Sequence, residues 1–334
     1  MKTMNGPRIL RASLSFTLLL SLLACAVPPE PLRTVEFYSP AVDRTMKYNI
    51  VLPADYEGSD ERYPVLYLLH GLTSNYTDWD RIGATTYAGF FGDLIVVMPD
   101  AGNSWYINYA ENEEGQVNNW EDHIIVDVVG HVDANFRTIA EREGRAINGL
   151  SMGGYGGLTL GLRHPEMFVS IGSTSGALTY ARSAATRLRN PEPPRQAATE
   201  RTPEEQAAWE ERVGTPNPSI AIEGFSSQME RSPRGRAFTT PEQADAYDPF
   251  KLIDLVPPEE LPHISLDCGT EDRLIAGARE FAEILFEKDI PFDFMQMHGQ
   301  HSGEYWRQAL GHFMAIQYEV VQRALGRRPP ADEG

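Results

Sequence analysis

A doubly wound, mostly parallel α/β domain is the fold class this sequence predicts, on three observations. Short, nearly continuous apolar runs alternate with amphipathic stretches through most of the 334 residues, as in strands covered by helices on both faces. No internal repeat divides the chain. One apolar run passes straight into INGLSMGGYGG (147–157), a serine among five glycines, after which a helical pattern resumes at once.

In chain order, the first segment is set apart from the fold. Lys2, Arg8 and Arg11 precede an apolar stretch from Leu14 to Leu23. It is far shorter than the roughly 20 residues of a membrane-spanning helix and suits a secretory signal. Leu22-Leu23-Ala24-Cys25 is similar to the bacterial lipobox, in which Cys25 would be lipidated. Ala24-Cys25-Ala26 also fits ordinary signal cleavage after Ala26, and both readings stay open. The expectation is a signal over 1–24, a tether over 25–33, a domain over 34–325 and a polar tail over 326–334. Export follows, either to the bacterial envelope as a lipoprotein or to the periplasm and beyond.

Composition bounds the rest. With 42% hydrophobic residues the chain can bury one large core, with or without an inserted subdomain. Cys25 and Cys268 are its only cysteines, so stability must come from that core rather than from a disulfide. The net charge is −18, and about −21 once the leader's three cations are removed. Such a surface repels nucleic acid and anionic lipid, leaving membrane contact only through a lipid on Cys25. It leaves the oligomeric state open.

VEFYSP (35–40) and MKYNIVLP (46–53) read as an opening antiparallel pair. PVLYLLHG (64–71), LIVVMPD (94–100), RAINGL (145–150), FVSIGSTSG (168–176), HISLDCG (263–269) and FDFMQMHG (292–299) read as buried parallel strands. Trp120, Ile124, Val128, Val132 and Phe136 recur every four residues, and Trp306, Leu310, Phe313 and Val320 mark the last helix. Residues 182–246 break this rhythm, being rich in Pro, Glu, Arg, Ser and Thr. A structureless loop of that length inside a domain is unusual, so the segment reads as a lid or cap inserted between two strands. A solvated insertion without a role is the alternative. Its run from Arg231 to Arg236 either clamps an acidic substrate group or is a solvated loop balanced by the surrounding glutamates.

The glycines explain the serine. Gly149-Leu150-Ser151-Met152-Gly153 fits G-x-S-x-G at a strand-to-helix turn, where side chains two positions away on either side would collide with backbone. Serine is a poor nucleophile unless a base, oriented by a third group, activates it. In this setting acid and base follow the serine in that order. Asp272 lies just past a strand end, with Glu271 as competitor and Asp267 inside the strand. His301 lies in a loop before the final helix, with His298 as rival. The spacing of His298 and His301 lacks a third ligand, so no metal and no cofactor is expected. His70-Gly71-Leu72 follows an early strand, so the N–H groups of Leu72 and Met152 can form an oxyanion hole. Loss of one such donor typically costs about 2.7–4 kcal/mol of transition-state stabilisation.

With LLHGLTSN, MPDAGNSWYINY, NGLSMGGYGGLTLGLRHPEMF, DCGTED and GQHSGEYW, the chain from about Thr34 to Leu325 resembles the esterase D group. That group of α/β-hydrolases includes S-formylglutathione hydrolases, mycolyltransferase antigens and bacterial carboxylesterases. The resemblance implies the α/β-hydrolase fold and a serine carboxylesterase, or alternatively an acyltransferase of the mycolyltransferase type. It implies Ser151 as nucleophile, His301 as base, Asp272 as acid, and Leu72 and Met152 as oxyanion donors. Gly71, Trp105, Tyr106 and Trp306 are its implied substrate-binding residues. The expected partner is a small-molecule or carbohydrate ester. The export signal argues against the cytosolic formylglutathione activity, and the insertion means that the family's pocket roof does not transfer.

Overall fold

The computed structural model describes residues 32–191 and 232–329. The expected signal, Cys25 and the middle of the insertion lie outside the described residues. Alternation along the apolar runs sets the layers. In β3 (Val65–Leu69) the side chains of Val65, Tyr67 and Leu69 enter one core while Leu66 and Leu68 enter another on the opposite face. The same division holds in β4 (Ile95–Pro99), with Ile95 and Val97 on one side and Val96 and Met98 on the other. A strand that is apolar throughout needs covering on both faces, which a doubly wound sheet supplies.

The remaining strands of the main sheet are β1 (Arg33–Ser39), β2 (Arg44–Val51), β6 (Arg145–Gly149), β7 (Ser170–Thr174), β9 (His263–Gly269) and β10 (Phe292–Met297). Their order is β1-β2-β4-β3-β6-β7-β9-β10. The opening pair is antiparallel, β2 is antiparallel to β4, and pairing is parallel from β4 to β10. All eight predicted strands are present, in the predicted α/β-hydrolase arrangement. β3 has β4 on one side and β6 on the other, so the winding direction reverses between β3 and β6. Loops at the carboxyl ends of those two strands diverge and leave a crevice.

One face of the sheet is covered by α1 (Asp78–Ile82), α2 (Ala84–Ala88) and, much later, α10 (Gly303–Ala324). The other is covered by a helical run that opens as α3 (Trp120–Asp122) and ends as α4 (Val129–Asn135), by α5 (Met152–Arg163), and by α9 (Ile275–Glu287). Before α9 lie α6 (Tyr180–Arg189), α7 (Pro241–Asp245) and α8 (Pro249–Leu252).

The elements differ from expectation in four places. Between α3 and α4 the chain forms a π-helix, His123–Val128. In an α-helix a strict four-residue recurrence drifts by about 40° per repeat; the wider π turn removes that drift and keeps Trp120, Ile124 and Val128 in one core. Phe136 lies past the helix end. In α10 it is Val321, not Val320, that is buried. β10 is only half-buried, because it is the sheet's outer edge and has a strand on one side only.

The insertion is anchored at both described flanks. Residue 182 lies inside α6, which packs on α7. On the return, β8 (Gly235–Arg236) pairs antiparallel with β5 (Glu111–Asn112). Arg236 donates to Glu111, and Arg234 lies 3.8 Å from Glu113, so both cations face glutamates.

Candidate active site

Ser151 is the residue between β6 and α5, with φ 55° and ψ −113°. A side chain at positive φ is strained, and such strain persists only where neighbours over-determine it. The neighbours are close. A Cβ on Gly153 would lie 2.2 Å from the Leu69 carbonyl oxygen, and one on Gly149 would lie 2.3 Å from that of Gly153. The Ser151 N–H donates to the Thr174 carbonyl at the end of β7 (3.0 Å), and its carbonyl accepts from the Ala177 N–H (3.1 Å). The elbow is thus pinned through the peptides on both sides of Ser151.

Asp272 hangs from the turn after β9 and His301 from the loop between β10 and α10. His301 Nε2 is 2.9 Å from Ser151 Oγ, and His301 Nδ1 is 2.8 Å from Asp272 Oδ2. The Leu274 N–H donates to Asp272 Oδ1 at 2.9 Å. Burial pushes the Asp272 carboxyl up, but hydrogen bonds from His301 and Leu274 outweigh it and leave it below the usual carboxylate value. It is therefore ionised near neutrality and able to hold the imidazole with Nδ1–H toward it and Nε2 free to accept. Glu271 and His298 are not brought to the serine; both are exposed, and they face one another at 3.7 Å.

Gly71 brings a second backbone segment to the serine, since a Cβ on it would lie 3.5 Å from Ser151 Cβ. Neither the Leu72 nor the Met152 N–H donates to a backbone carbonyl among the described residues. Met152 is the first residue of α5, so no carbonyl one turn earlier can take its proton. Gly71 and the first turn of α5 thus lie beside the serine.

The segment after β4 has a role that the sequence reading missed. The Ala101 N–H donates to His70 Nε2 (3.0 Å), the Tyr106 hydroxyl to the His70 carbonyl (2.8 Å), and the Thr73 N–H to Asn103 Oδ1 (2.7 Å). Three bonds hold the Gly71–Leu72 loop from behind. Tyr106 is one of the residues expected to bind substrate. It is buried, with φ 59°, and its ring fills the space left by Gly156. Trp105, at φ 60°, stacks on Tyr180 of α6 with centroids 3.6 Å apart, so it anchors that helix. Only the polar run after LIVVMP could have signalled the clamp. Trp306 stands edge-on to the His301 ring at 5.0 Å, and Leu72 is exposed. A hollow of about 640 Å³, lined by Val256, Leu261 and Ile290 among others, lies at the amino end of β9, away from Ser151.

The profile of one family, described as "Putative esterase", matches residues 39–315. Esterase Rv1288 of Mycobacterium tuberculosis is 30% identical over 271 residues, 79% of this chain and 54% of its own length. The chain thus spans about half the length of the curated relatives it matches. Diacylglycerol acyltransferase/mycolyltransferase Ag85A of Mycobacterium leprae is 30% identical over 159 residues, 45% of this chain and 46% of its own. In fold, the chain is similar to S-formylglutathione hydrolase of Staphylococcus aureus, with a TM-score of 0.61 at 22% identity over 86% of this chain and 98% of that one.

Proposed function

The chain belongs to the Esterase family, and from that premise we propose that it is a serine carboxylesterase acting through an acyl-enzyme on Ser151. The observation that carries the reading is the continuous line Ser151–His301–Asp272, at 2.9 and 2.8 Å, beside two unengaged N–H groups. His301 Nε2 takes the Ser151 proton as Oγ attacks the ester carbonyl. The oxyanion accepts from the N–H groups of Leu72 and Met152. His301 then gives the proton to the departing alcohol, and a water molecule repeats the sequence on the acyl-enzyme. Trp306, edge-on to His301, is an apolar wall beside the base.

Acyl groups on carbohydrates, such as acetyl or feruloyl esters, and small aryl esters are the substrates this reading favours. Export fits them, and the basic, apolar leader from Lys2 to Leu23 and Cys25 support an envelope location. The described flanks of the 182–246 segment are fixed by the stacking of Trp105 on Tyr180 and by the β5–β8 pair.

Ser151→Ala tests the reading directly. Hydrolysis of p-nitrophenyl acetate should fall by roughly 10⁴-fold or more with the fold intact; wild-type turnover in that variant would end the proposal. The similarity to a mycolyltransferase favours a second reading, in which an acceptor hydroxyl replaces water. Product partition in the presence of sugar and lipid acceptors decides between them, and hydrolysis unchanged by every acceptor counts against transfer.

A further inference from the structure

Thr73 is the strained residue of the loop beside the nucleophile. Its φ is 66°, a conformation that a β-branched side chain rarely adopts and that needs something outside the residue to hold it. Thr73 follows Leu72 and Gly71, and a Cβ on Gly71 would lie 3.5 Å from Ser151 Cβ. The holding group comes from the segment after β4: the Thr73 N–H donates to Asn103 Oδ1 at 2.7 Å. The same amide reaches a third segment. Asn103 Nδ2 donates to Ser232 Oγ at 2.9 Å. Ser232 belongs to the return of the 182–246 insertion, just before β8. That return is fixed close by, where the Arg234 N–H donates to Gln116 Oε1 and the Arg234 carbonyl accepts from Asn118 Nδ2, both at 3.0 Å.

We propose that Asn103 is a positioning residue that couples the return of the insertion to the oxyanion hole. This deepens the esterase reading and rests on it, with the Leu72 N–H as donor. A side-chain amide carries its acceptor and its donor on one rigid plane, so the bond to Ser232 sets the direction from which Oδ1 meets the Thr73 N–H. Relaxation of Thr73 to negative φ would turn the Leu72–Thr73 peptide. Leu72 would follow, and its N–H must lie about 2.7–3.1 Å from the developing oxyanion. The Thr73–Asn103 bond is exposed, so water can replace Asn103 as a partner at little cost to folding. Water does not fix the orientation of the peptide. The effect of the amide therefore falls on the transition state more than on stability.

The test compares Asn103→Leu, which removes both bonds, with Ser232→Ala, which removes only the insertion's end, and Ser232→Thr, which keeps the hydroxyl. Turnover of p-nitrophenyl acetate is expressed per serine labelled by a fluorophosphonate, beside a melting curve for each variant. Asn103→Leu should lose roughly 10-fold in kcat with KM little changed, less than the 10²- to 10³-fold typical of deleting a donor outright. Ser232→Ala should lose about threefold, and Ser232→Thr should match wild type. The double variant should be no worse than Asn103→Leu alone, because Ser232 acts only through the amide. A trifluoromethyl ketone, whose adduct with Ser151 carries the oxyanion, should bind less tightly by the same factors. Asn103 and Ser232 are both half-buried, and the Ser232 variants decide the matter if Asn103→Leu does not fold. Wild-type kcat in Asn103→Leu or in Ser232→Ala overturns the assignment, as does a Ser232→Thr variant as impaired as Ser232→Ala. Unchanged affinity for the ketone, or a double variant that loses the product of the two factors, overturns it too. An inactive wild type would instead count against the esterase reading.

Discussion

At Ser151 a strained backbone is held by bonds on both sides of the residue, and the chemistry depends on the neighbours of its neighbours. Asp272 is the sharpest case. Its carboxylate accepts from both His301 and the Leu274 N–H, so an amide in its place would offer Nδ2–H where the imidazole needs an acceptor. Asp272→Asn should therefore cost on the order of 10³- to 10⁴-fold in kcat while leaving thermal stability nearly unchanged, as steady-state kinetics beside a melting curve will show. Activity should also fall on acidification, because His301 with a proton on Nε2 cannot receive one from Ser151; Asp272, held below the usual carboxylate value, stays ionised over that range. Most of these residues were legible in the sequence by their place after a strand. The choice between Asp272 and Glu271 was not fully legible, because adjacent residues on a turn point in different directions and only the surrounding contacts select one.

At the scale of elements, the start of α5 lies against β3 and β7 closely enough that glycine is required. Gly153→Ala would force a methyl group to within 2.2 Å of the Leu69 carbonyl oxygen. The expected cost is about 3 kcal/mol or more in urea unfolding, with loss of activity. Gly130→Ala in α4 is the matched control. Nothing lies within 4 Å of the added methyl group, and the exchange should gain about 0.5–1 kcal/mol. The glycine pattern announced the elbow because steric exclusion is written in residue type. The π-helix was not announced, since a four-residue recurrence is compatible with either helical form until the core chooses. The clamp behind Gly71 was equally hidden: Asn103 and Tyr106 make bonds to a loop some 30 residues earlier, and the fold alone sets that pairing.

Across the whole molecule, buried titratable groups link stability to pH with opposite signs. Burial would raise the Glu121 carboxyl, but hydrogen bonds from His164, Arg163 and Tyr247 outweigh it and hold the group at about 2. Its folded value lies below the unfolded 4.5, so its contribution, on the order of 3 kcal/mol, is complete above pH 4.5 and lost as pH falls toward 2. Burial holds His123 at about 4, below its ordinary 6.5, and that contribution is lost as pH falls from 6.5 to 4. Asp267, raised from 3.8 to about 7, acts in reverse, stabilising below 3.8 and losing its effect as pH rises through 7. Urea unfolding between pH 3 and 8 should show Glu121→Gln flattening the decline below pH 4.5. In the same series Asp267→Asn should gain on wild type as pH rises from 4 to 7. Equal slopes in variant and wild type would refute either assignment.

The sequence by itself determined the eight strands and the serine at a sharp turn. Those follow from apolar runs, chain order and glycine sterics, which are properties of consecutive residues. It could not decide which way loop side chains face. That Tyr106 turns inward to His70, that Trp105 stacks on α6, and that Thr174 donates to Asp267 are outcomes of packing between segments distant in the chain. Only the tertiary structure supplied the partners whose hydrogen bonds and close contacts make one orientation cheaper than the others.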